Sequence, residues 1–316
     1  MTLQSILVTG ASGQLARSLG EATSACGGEA PRLVALGRPE LDITQPETLD
    51  AAFGAHGPSL IVNCAAYTTV DNAESEEQQA MAVNADGAHS VAKLCARQAI
   101  PLIHVSTDYV FDGAKPEPYR ETDPTGPTGV YGISKLRGEE KVAATCARHI
   151  IVRTAWVYSP FGNNFVRTML RQAADRADVS VVDDQVGCPT YAPHLADAIL
   201  ELSRRVLREK SGDEIPWGTY HAAGAGETTW FDFAREIFRQ SARQSGPEAS
   251  VHPISTADYP TPAKRPLNSR LDCSAMKDRF GIALPDWRTG VEDCVARILS
   301  PLPETGQDRK KMGIPI

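Results

Sequence analysis

The first half of the chain alternates short apolar runs with stretches of helical length. The runs lie at residues 6–8, 33–36, 60–62, 102–105 and 150–152, and helix-length stretches lie between them at 14–24, 46–53, 73–98 and 130–146. Continuous apolar runs suit strands buried on both faces, and helical crossovers return the chain parallel to itself. The pattern predicts an α/β fold built on a Rossmann-type, doubly wound parallel sheet.

The alternation weakens after about residue 156, where clusters of Gly, Pro and Asn separate predicted helices. We therefore assign residues 1–156, in the main, to an NAD(P)-binding domain. Residues 157–300, in the main, are assigned to a smaller α/β substrate-binding lobe, and a strand exchange between the two is left open. Residues 301–316 mix Pro, Gly and charge without a periodic apolar face, so we expect a flexible tail.

A glycine-containing loop, Thr-Gly-Ala-Ser-Gly-Gln-Leu-Ala at residues 9–16, follows the first run and opens the first helix. Gly10 permits a tight turn, and Gly13 lets the backbone approach a phosphate. The helix N-terminus then offers free N–H groups and a partial positive charge to a pyrophosphate. Alone, such a loop could be a plain turn, but its strand-loop-helix setting favours dinucleotide binding.

The residue that follows the second run bears on the choice of dinucleotide. Arg38 stands where an acidic residue would grip the ribose hydroxyls and repel a 2'-phosphate, so NADPH is admissible beside NADH. We expect Arg38 to meet that phosphate, although it could equally be a solvated surface charge. Asp42 could merely cap the helix that follows Thr44.

Tyr131 and Lys135 stand four residues apart on a predicted helix, which puts the phenol and the ammonium on one face. A neighbouring ammonium stabilises a phenolate, so we expect Lys135 to lower the pKa of Tyr131 by about one to three units. Tyr131 would then donate a proton to a carbonyl oxygen during hydride transfer. The alternative is that Tyr131 and Lys135 are an ordinary pair on a helix surface. This is disfavoured because a dinucleotide-binding loop precedes the pair in the sequence.

Ser106, Thr107 and Asp108 directly follow a buried run, at the carboxyl edge of the predicted sheet where ligands bind in such folds. Thr107 could hydrogen-bond a substrate oxygen there. Together with Tyr131 and Lys135 it forms the predicted catalytic set.

Composition excludes several other classes. The net charge of -7 and the pI near 5.6 argue against nucleic acid as a partner. No apolar run reaches membrane-spanning length, and no basic flank precedes the N-terminal run, so a cytoplasmic protein is expected. The cysteines, Cys26, Cys64, Cys95, Cys146, Cys188, Cys273 and Cys294, are scattered and should be free thiols. No metal is predicted.

Several longer segments extend these motifs. They are GASGQL at 10–15, ELDIT at 40–44, NCAAYTTVD at 63–71, VN at 83–84, STDYVF at 106–111, RTAWVY at 153–158, GNNF at 162–165, DQVGCPT at 184–190 and RPLNSRLD at 265–272. With them the chain resembles the extended short-chain dehydrogenase/reductase family, and within it the dTDP-4-dehydrorhamnose reductases. The resemblance spans about residues 5–300.

The resemblance implies reduction of a dTDP-linked 4-keto deoxysugar by NADPH or NADH, and makes the lobe at 157–300 a sugar-nucleotide-binding one. It implies dinucleotide contacts from Gly13, Gln14, Leu15, Asp42, Ile43, Ala65, Ala66 and Tyr67, to which Gly10, Arg38, Tyr131 and Lys135 are added from the reasoning above. It implies that Thr107, Asp108, Tyr131 and Trp156 face the deoxysugar nucleotide. A homodimer is also expected.

Two of three further substrate-side residues, Trp156 and Asn163 but not Arg265, carry alternatives. Trp156 offers a flat apolar face to a deoxysugar, or it packs in the core. Asn163 and Arg265 could hold a diphosphate through a helix terminus and a forked cation, although ordinary capping by Asn163 fits as well.

Two other functions share this pattern. One is a non-catalytic regulatory subunit like that of methionine adenosyltransferase, against which the intact Thr107, Tyr131 and Lys135 argue. The other is another nucleotide-sugar reductase, epimerase or dehydratase.

Overall fold

A computed structural model describes residues 4–26, 31–208 and 215–299. Within these ranges a six-stranded parallel sheet forms the centre of the fold, in the order β10-β5-β4-β3-β1-β2. Its strands are β1 (Ser5–Thr9), β2 (Arg32–Leu36), β3 (Leu60–Asn63), β4 (Leu102–Thr107), β5 (His149–Thr154) and β10 (Gly218–His221). The chain winds outwards from β1 in both directions, so the sheet has a switch point between β1 and β3.

Helices cover both faces of this sheet, and alternate strand residues face each layer. They are α1 (Gln14–Ala25), α2 (Pro46–His56), α3 (Val70–Ala73), α4 (Glu77–Met81), α5 (Ala88–Arg97), α6 (Val130–Thr145) and α8 (Ala192–Arg208). Ile6 and Val8 pack with residues of α1 and α8, whereas Leu7 packs with residues of α2 and α5. This two-sided burial explains why the strands read as continuous apolar runs, and the predicted doubly wound fold is confirmed.

The segment at 73–98, predicted as one helix, is not continuous. It comprises the end of α3, then α4, a π-helical turn at Ala82–Gly87, and α5. The π-helical turn carries the buried Asn84, which forms hydrogen bonds to two other elements. Such turns are frequent at functional sites, and periodicity alone does not reveal them.

The rest of the second half builds small sheets and helices beside the carboxyl edge of the main sheet. The strands are β6 (Val157–Tyr158), β7 (Asp178–Val182), β8 (Val186–Gly187), β9 (Thr190–Tyr191), β11 (Thr228–Thr229), β12 (Ser250–Ile254) and β13 (Asn268–Ser269). The helices are α7 (Phe165–Asp175), α9 (Trp230–Ala242), α10 (Ser274–Phe280) and α11 (Trp287–Leu299). An aromatic-rich core that includes Tyr158, Phe233 and Trp287 holds this part together.

The boundary near residue 156 stays a prediction. Strand β10 lies in the second half of the sequence, yet it pairs with β5 in the main sheet. Helix α8 likewise comes from the second half and packs on α1 in the main core. The predicted tail, 301–316, lies outside the described residues.

Candidate active site

The glycine loop closes tightly at the carboxyl end of β1. Gly10 has φ of +74°, and a Cβ there would lie 2.9 Å from the Cα of Ala65, so only glycine fits. The Gly13 amide donates to the Gly10 carbonyl at 2.9 Å. Gly13 is also the N-cap of α1 and supplies no side chain to its amides. The first turn of α1 is thereby left with donors for an anionic ligand, as a dinucleotide pyrophosphate requires.

A cavity of about 1100 Å³ runs from this loop along the carboxyl edge of the sheet. It is lined by every predicted site residue except Arg265, namely Gly10, Gly13, Gln14, Leu15, Arg38, Asp42, Ile43, Ala65, Ala66, Tyr67, Thr107, Asp108, Tyr131, Lys135, Trp156 and Asn163. The volume suits a dinucleotide and a second ligand together. Residues that are spread over the sequence from Gly10 to Asn163 are therefore brought to one site, while their individual roles remain predictions.

At the end of the cavity near β2, Arg38 is exposed and Asp42 is half-buried. The Asp42 carboxylate accepts hydrogen bonds from the Thr44 amide at 2.9 Å and from its hydroxyl at 2.7 Å. Burial works to raise the pKa of Asp42, but the bonds from Thr44 and the charge of Arg38 outweigh it and lower the pKa. Asp42 braces this turn, and the N-cap of α2 is Gln45 rather than Asp42.

Tyr131 and Lys135 lie on one face of α6, at the cavity wall. The Lys135 Nζ donates a 2.7 Å hydrogen bond to the Val105 carbonyl of β4. Burial lowers the pKa of Lys135 to about 8, against the opposing charge of Glu139. The ammonium is thus held beside the edge of the sheet and still dominates at neutral pH.

The expected lowering of the Tyr131 pKa was wrong in direction. Burial raises the pKa of the phenol above its usual range, and hydrogen bonding to Thr107 only partly offsets this. Desolvation disfavours the phenolate, and the Lys135 ammonium is engaged with a backbone carbonyl instead. In this state Tyr131 keeps its proton throughout the neutral range.

Thr107 ends β4 and connects two neighbours of the site. Its hydroxyl accepts from the Tyr109 amide at 3.2 Å and donates to Asp108 Oδ1 at 3.0 Å. Burial raises the pKa of Asp108 to about 6, although the nearby hydroxyls of Ser269 and Thr107 oppose the shift. The second carboxylate oxygen, Oδ2, is buried and has no hydrogen-bond partner among the described residues. A ligand hydroxyl would satisfy it.

Trp156 both packs and lines the cavity. Its ring stacks on Trp230 with centroids 3.5 Å apart and planes 9° apart. A Cβ at Gly187 would lie 2.4 Å from the Trp156 ring, so the indole is confined on that side too. Its backbone φ of +48° is rare for a bulky residue and is held by this packing. Trp156 therefore packs against its neighbours while it lines the cavity, and its contact with a deoxysugar stays a prediction.

Arg265 lies outside the cavity lining. Its guanidinium pairs with the Asp71 carboxylate at 2.5 Å and donates to the Tyr109 hydroxyl at 3.3 Å. Asn163 lines the cavity, but the N-cap of α7 is Asn164, whose Oδ1 accepts from the Arg167 amide at 3.2 Å. Capping by Asn163 was therefore wrong by one position.

Sequence reasoning assigned no role to several polar groups of the site. Asn84 accepts from the Tyr67 amide at 2.8 Å and donates to the Ser134 hydroxyl at 2.9 Å, which joins the 64–69 loop to α6. The hydroxyls of Ser106 and Thr154 line the cavity, and both are buried without a partner in the part of the chain described. Their position at two adjacent strand ends was the available signal.

Cys64 borders the cavity and is half-buried, and burial raises the pKa of its thiol to about 12. All seven cysteines are free. Among the described residues, no group of three or more His, Cys, Asp or Glu side chains could hold a metal ion. Over the same ranges, helices that are long and apolar enough to cross a membrane are absent.

The glycine loop, the Tyr131–Lys135 pair and the shared cavity on a doubly wound sheet define a dinucleotide-dependent oxidoreductase. Comparison with known proteins narrows this class. The RmlD substrate binding domain family matches residues 4–300. The chain is 45% identical to a dTDP-4-dehydrorhamnose reductase of Sinorhizobium fredii over 96% of this chain and 99% of that one. The chain belongs to the dTDP-4-dehydrorhamnose reductase family.

Solved structures of similar fold support the same family assignment. A dTDP-4-dehydrorhamnose reductase from Clostridium acetobutylicum superimposes with a TM-score of 0.85 at 34% identity, covering 94% of this chain and all of that one. One from Bacillus anthracis, solved in complex with NADP, gives 0.83 at 35% identity, covering 92% of this chain and 98% of that one. The resemblance inferred from the sequence motifs is confirmed.

Proposed function

We propose that the chain reduces dTDP-4-dehydro-β-L-rhamnose to dTDP-β-L-rhamnose with NADPH or NADH, the last step of dTDP-L-rhamnose biosynthesis. One observation carries the proposal. Tyr131, Lys135 and Thr107 line the same cavity as the glycine loop, so the proposed proton donor and the proposed dinucleotide site share one space. The names of the relatives support the substrate.

The dinucleotide would be held by the first turn of α1, the Ile43 and Ala65–Tyr67 segments and the Lys135 ammonium. When bound, it supplies the hydride that reduces the ketone. Arg38 would meet the 2'-phosphate of NADPH from its exposed position. Arg38→Ala should therefore lower the preference for NADPH over NADH, and an unchanged ratio of kcat/KM values would contradict this role.

Tyr131 would donate the proton that the substrate oxygen needs as it becomes an alcohol. The raised pKa keeps the phenol protonated at neutral pH, which is the state that a donor requires. The Lys135 ammonium would stabilise the negative charge that forms on the phenol oxygen as the proton leaves. Thr107 would donate a hydrogen bond to the same substrate oxygen.

The sugar would lie between Asp108 and Trp156. The unpartnered Asp108 Oδ2 would accept a hydrogen bond from a sugar hydroxyl, and the Trp156 ring would cover the apolar face of a deoxysugar. Asn163 would contact the diphosphate, and Arg265 would do so after exchanging its partner Asp71. A homodimer remains part of the proposal, and light scattering of the purified chain tests it.

The direct test is loss of absorbance at the reduced-nicotinamide band on adding dTDP-4-dehydrorhamnose. Tyr131→Phe should lower kcat by about 10²–10⁴-fold, because one general acid is removed. Tyr259→Phe, at an exposed tyrosine that does not line the cavity, is the matched control and should keep full activity. Full activity in Tyr131→Phe would defeat the proposed mechanism. The regulatory-subunit alternative is not favoured, since the relatives are named reductases.

A further inference from the structure

Gln14, the first residue of α1, connects the glycine loop to the segment at 159–164. Its Oε1 accepts a hydrogen bond from the Ser159 hydroxyl at 2.8 Å and another from the Asn164 amide at 2.9 Å. The two donors lie 145 and 150 residues away in sequence. We call this arrangement of Gln14, Ser159 and Asn164 the Gln14 bridge.

Both ends of the bridge are well fixed. Ser159 is fully buried, and its hydroxyl also accepts from the Phe161 amide at 3.1 Å. The Asn164 side chain donates to the Ser159 carbonyl at 2.8 Å and caps α7 through its Oδ1. A shift of the Gln14 amide would thus disturb a local network that sets the start of α7.

A second set of contacts joins the segment at 159–164 to α1. The Phe161 ring lies under two guanidinium groups, those of Arg17 at 4.0 Å and Arg297 at 5.3 Å. Arg17 belongs to α1, and Arg297 pairs with Glu21 of α1 at 2.9 Å. The segment therefore follows the position of α1 through both hydrogen bonds and cation-π contacts.

The bridge lies between two stretches of cavity lining. Gly10, Gly13 and Leu15 line it on one side, and Gly162 and Asn163 line it on the other. A ligand bound against the lining at residues 10–15 would fix the start of α1. The Gln14 side chain at that start sets the position of the lining at residues 162–163. An element shared by two sites in this way makes their occupancies interdependent.

We infer that Gln14 is a positioning residue, whose side chain couples binding of the dinucleotide to binding of the nucleotide sugar. This rests on the proposed function, and it assigns to the Gln14 side chain a role different from the direct dinucleotide contact expected from the sequence. The backbone of Gln14 remains free to serve the pyrophosphate. The coupling should work in both directions, because linkage of two binding equilibria is reciprocal.

The test is calorimetric binding of dTDP to the full chain, alone and saturated with NADP⁺. In the parent chain NADP⁺ should tighten dTDP binding by about 5-fold or more. Gln14→Met removes the acceptor at similar volume, and Ser159→Ala removes one donor from outside the glycine loop. Each should reduce the effect of NADP⁺ to below about twofold, while the Kd for NADP⁺ alone changes little.

Matched controls are Gln98→Met, at the exposed C-cap of α5, and Ser203→Ala, a buried serine whose hydroxyl donates to the Ile199 carbonyl within α8. Thermal unfolding identifies variants that fail to fold. Coupling that persists in both bridge variants overturns the inference. So does coupling lost in Gln14→Met and kept in Ser159→Ala, since Gln14 would then act by touching the dinucleotide itself. If dTDP fails to bind the parent chain, the proposed function fails and the inference falls with it.

Discussion

Lys135 Nζ and the Val105 carbonyl oxygen are 2.7 Å apart, so the ammonium of α6 is bonded to the strand that ends in Thr107. This bond joins the helix that carries Tyr131 to the strand that ends at Thr107. It also consumes one of the three ammonium donors, and leaves two for ligands.

The charge of Lys135 should govern the alkaline side of the pH profile. Burial lowers the pKa of this lysine to about 8, so the ammonium is present below that value and is lost above it. We expect kcat/KM to fall as pH rises through about 8, because kcat/KM reports groups of the free enzyme. Steady-state rates from pH 6 to 10 measure it.

Lys135→Arg is the control for this assignment. A guanidinium stays charged throughout that range, so the residual rate of the variant should no longer decline near pH 8. A decline that persists in Lys135→Arg would assign the alkaline limb to another group.

Asp108→Asn should raise the stability of the chain and lower its activity. Burial raises the pKa of Asp108 from 3.8 to about 6 in the folded state. The contribution of this carboxyl to the free energy of unfolding is therefore fully present below pH 3.8, and it is lost as pH rises through 6. Above pH 6 the neutral amide avoids this loss, which amounts to about 3 kcal/mol at 1.36 kcal/mol per unit. We expect a higher Tm at pH 7 and a kcat/KM reduced by about tenfold or more, since one charge-assisted hydrogen bond to the sugar is weakened.

The pH dependence of the Tm difference checks the cause. The gain in Tm of Asp108→Asn should shrink as pH is lowered from 7 towards 4. Over this range the parent carboxyl becomes protonated in the folded chain and then in the unfolded chain. A gain that is constant with pH would mean that packing, and not charge, is responsible.

The buried ion pair of Glu139 and Arg153 should matter far more than an exposed pair on the same helix. Arg153 donates to Glu139 at 2.7 Å, and the two side chains are 6% and 5% exposed. Glu139→Gln removes the carboxylate that is bonded to the buried guanidinium, which should cost about 3–5 kcal/mol of unfolding free energy. Denaturant unfolding measures the loss.

Glu140→Gln provides the comparison. Glu140 pairs with Arg137 at 2.8 Å on the exposed side of α6, with side chains 50% and 59% exposed, and its loss should cost less than about 1 kcal/mol. Equal costs for the two substitutions would show that burial does not set the strength of the inner pair.

Gly10→Ala should abolish dinucleotide binding. The added Cβ would lie 2.9 Å from backbone atoms of Ala65, and φ of +74° disfavours a side chain. Gly20→Ala, inside α1 with open space around its Cβ, should instead stabilise the chain by about 0.5–1 kcal/mol. Fluorescence titration with NADPH and thermal unfolding distinguish the two. Binding that survives in Gly10→Ala would contradict the assigned geometry of the loop.

The parts predicted from sequence are those that local pattern determines. The glycine loop follows a strand and opens a helix, and Tyr131 and Lys135 are one helical turn apart, so their neighbourhood is encoded within a few residues. The apolar runs likewise predicted the strands of the main sheet up to β5.

The missed features depend on distant contacts. Arg265 pairs with Asp71 across 194 positions, and Trp156 stacks on Trp230, and neither partner is indicated by local spacing. The direction of the Tyr131 pKa depends on desolvation by the folded chain, which outweighs the effect expected from the spacing to Lys135. The break at Ala82–Gly87 lies in a segment whose composition is helical throughout.

The placement of β10 has a consequence for biosynthesis of the chain. Five strands of the main sheet have left the ribosome before residue 218, and until then β5 presents an unpaired row of N–H and C=O groups along its outer edge. Apolar, unpaired edges invite association between nascent chains. Completion of the sheet therefore awaits synthesis of residues 218–221, and a chain that ends before β10 should expose an aggregation-prone strand edge.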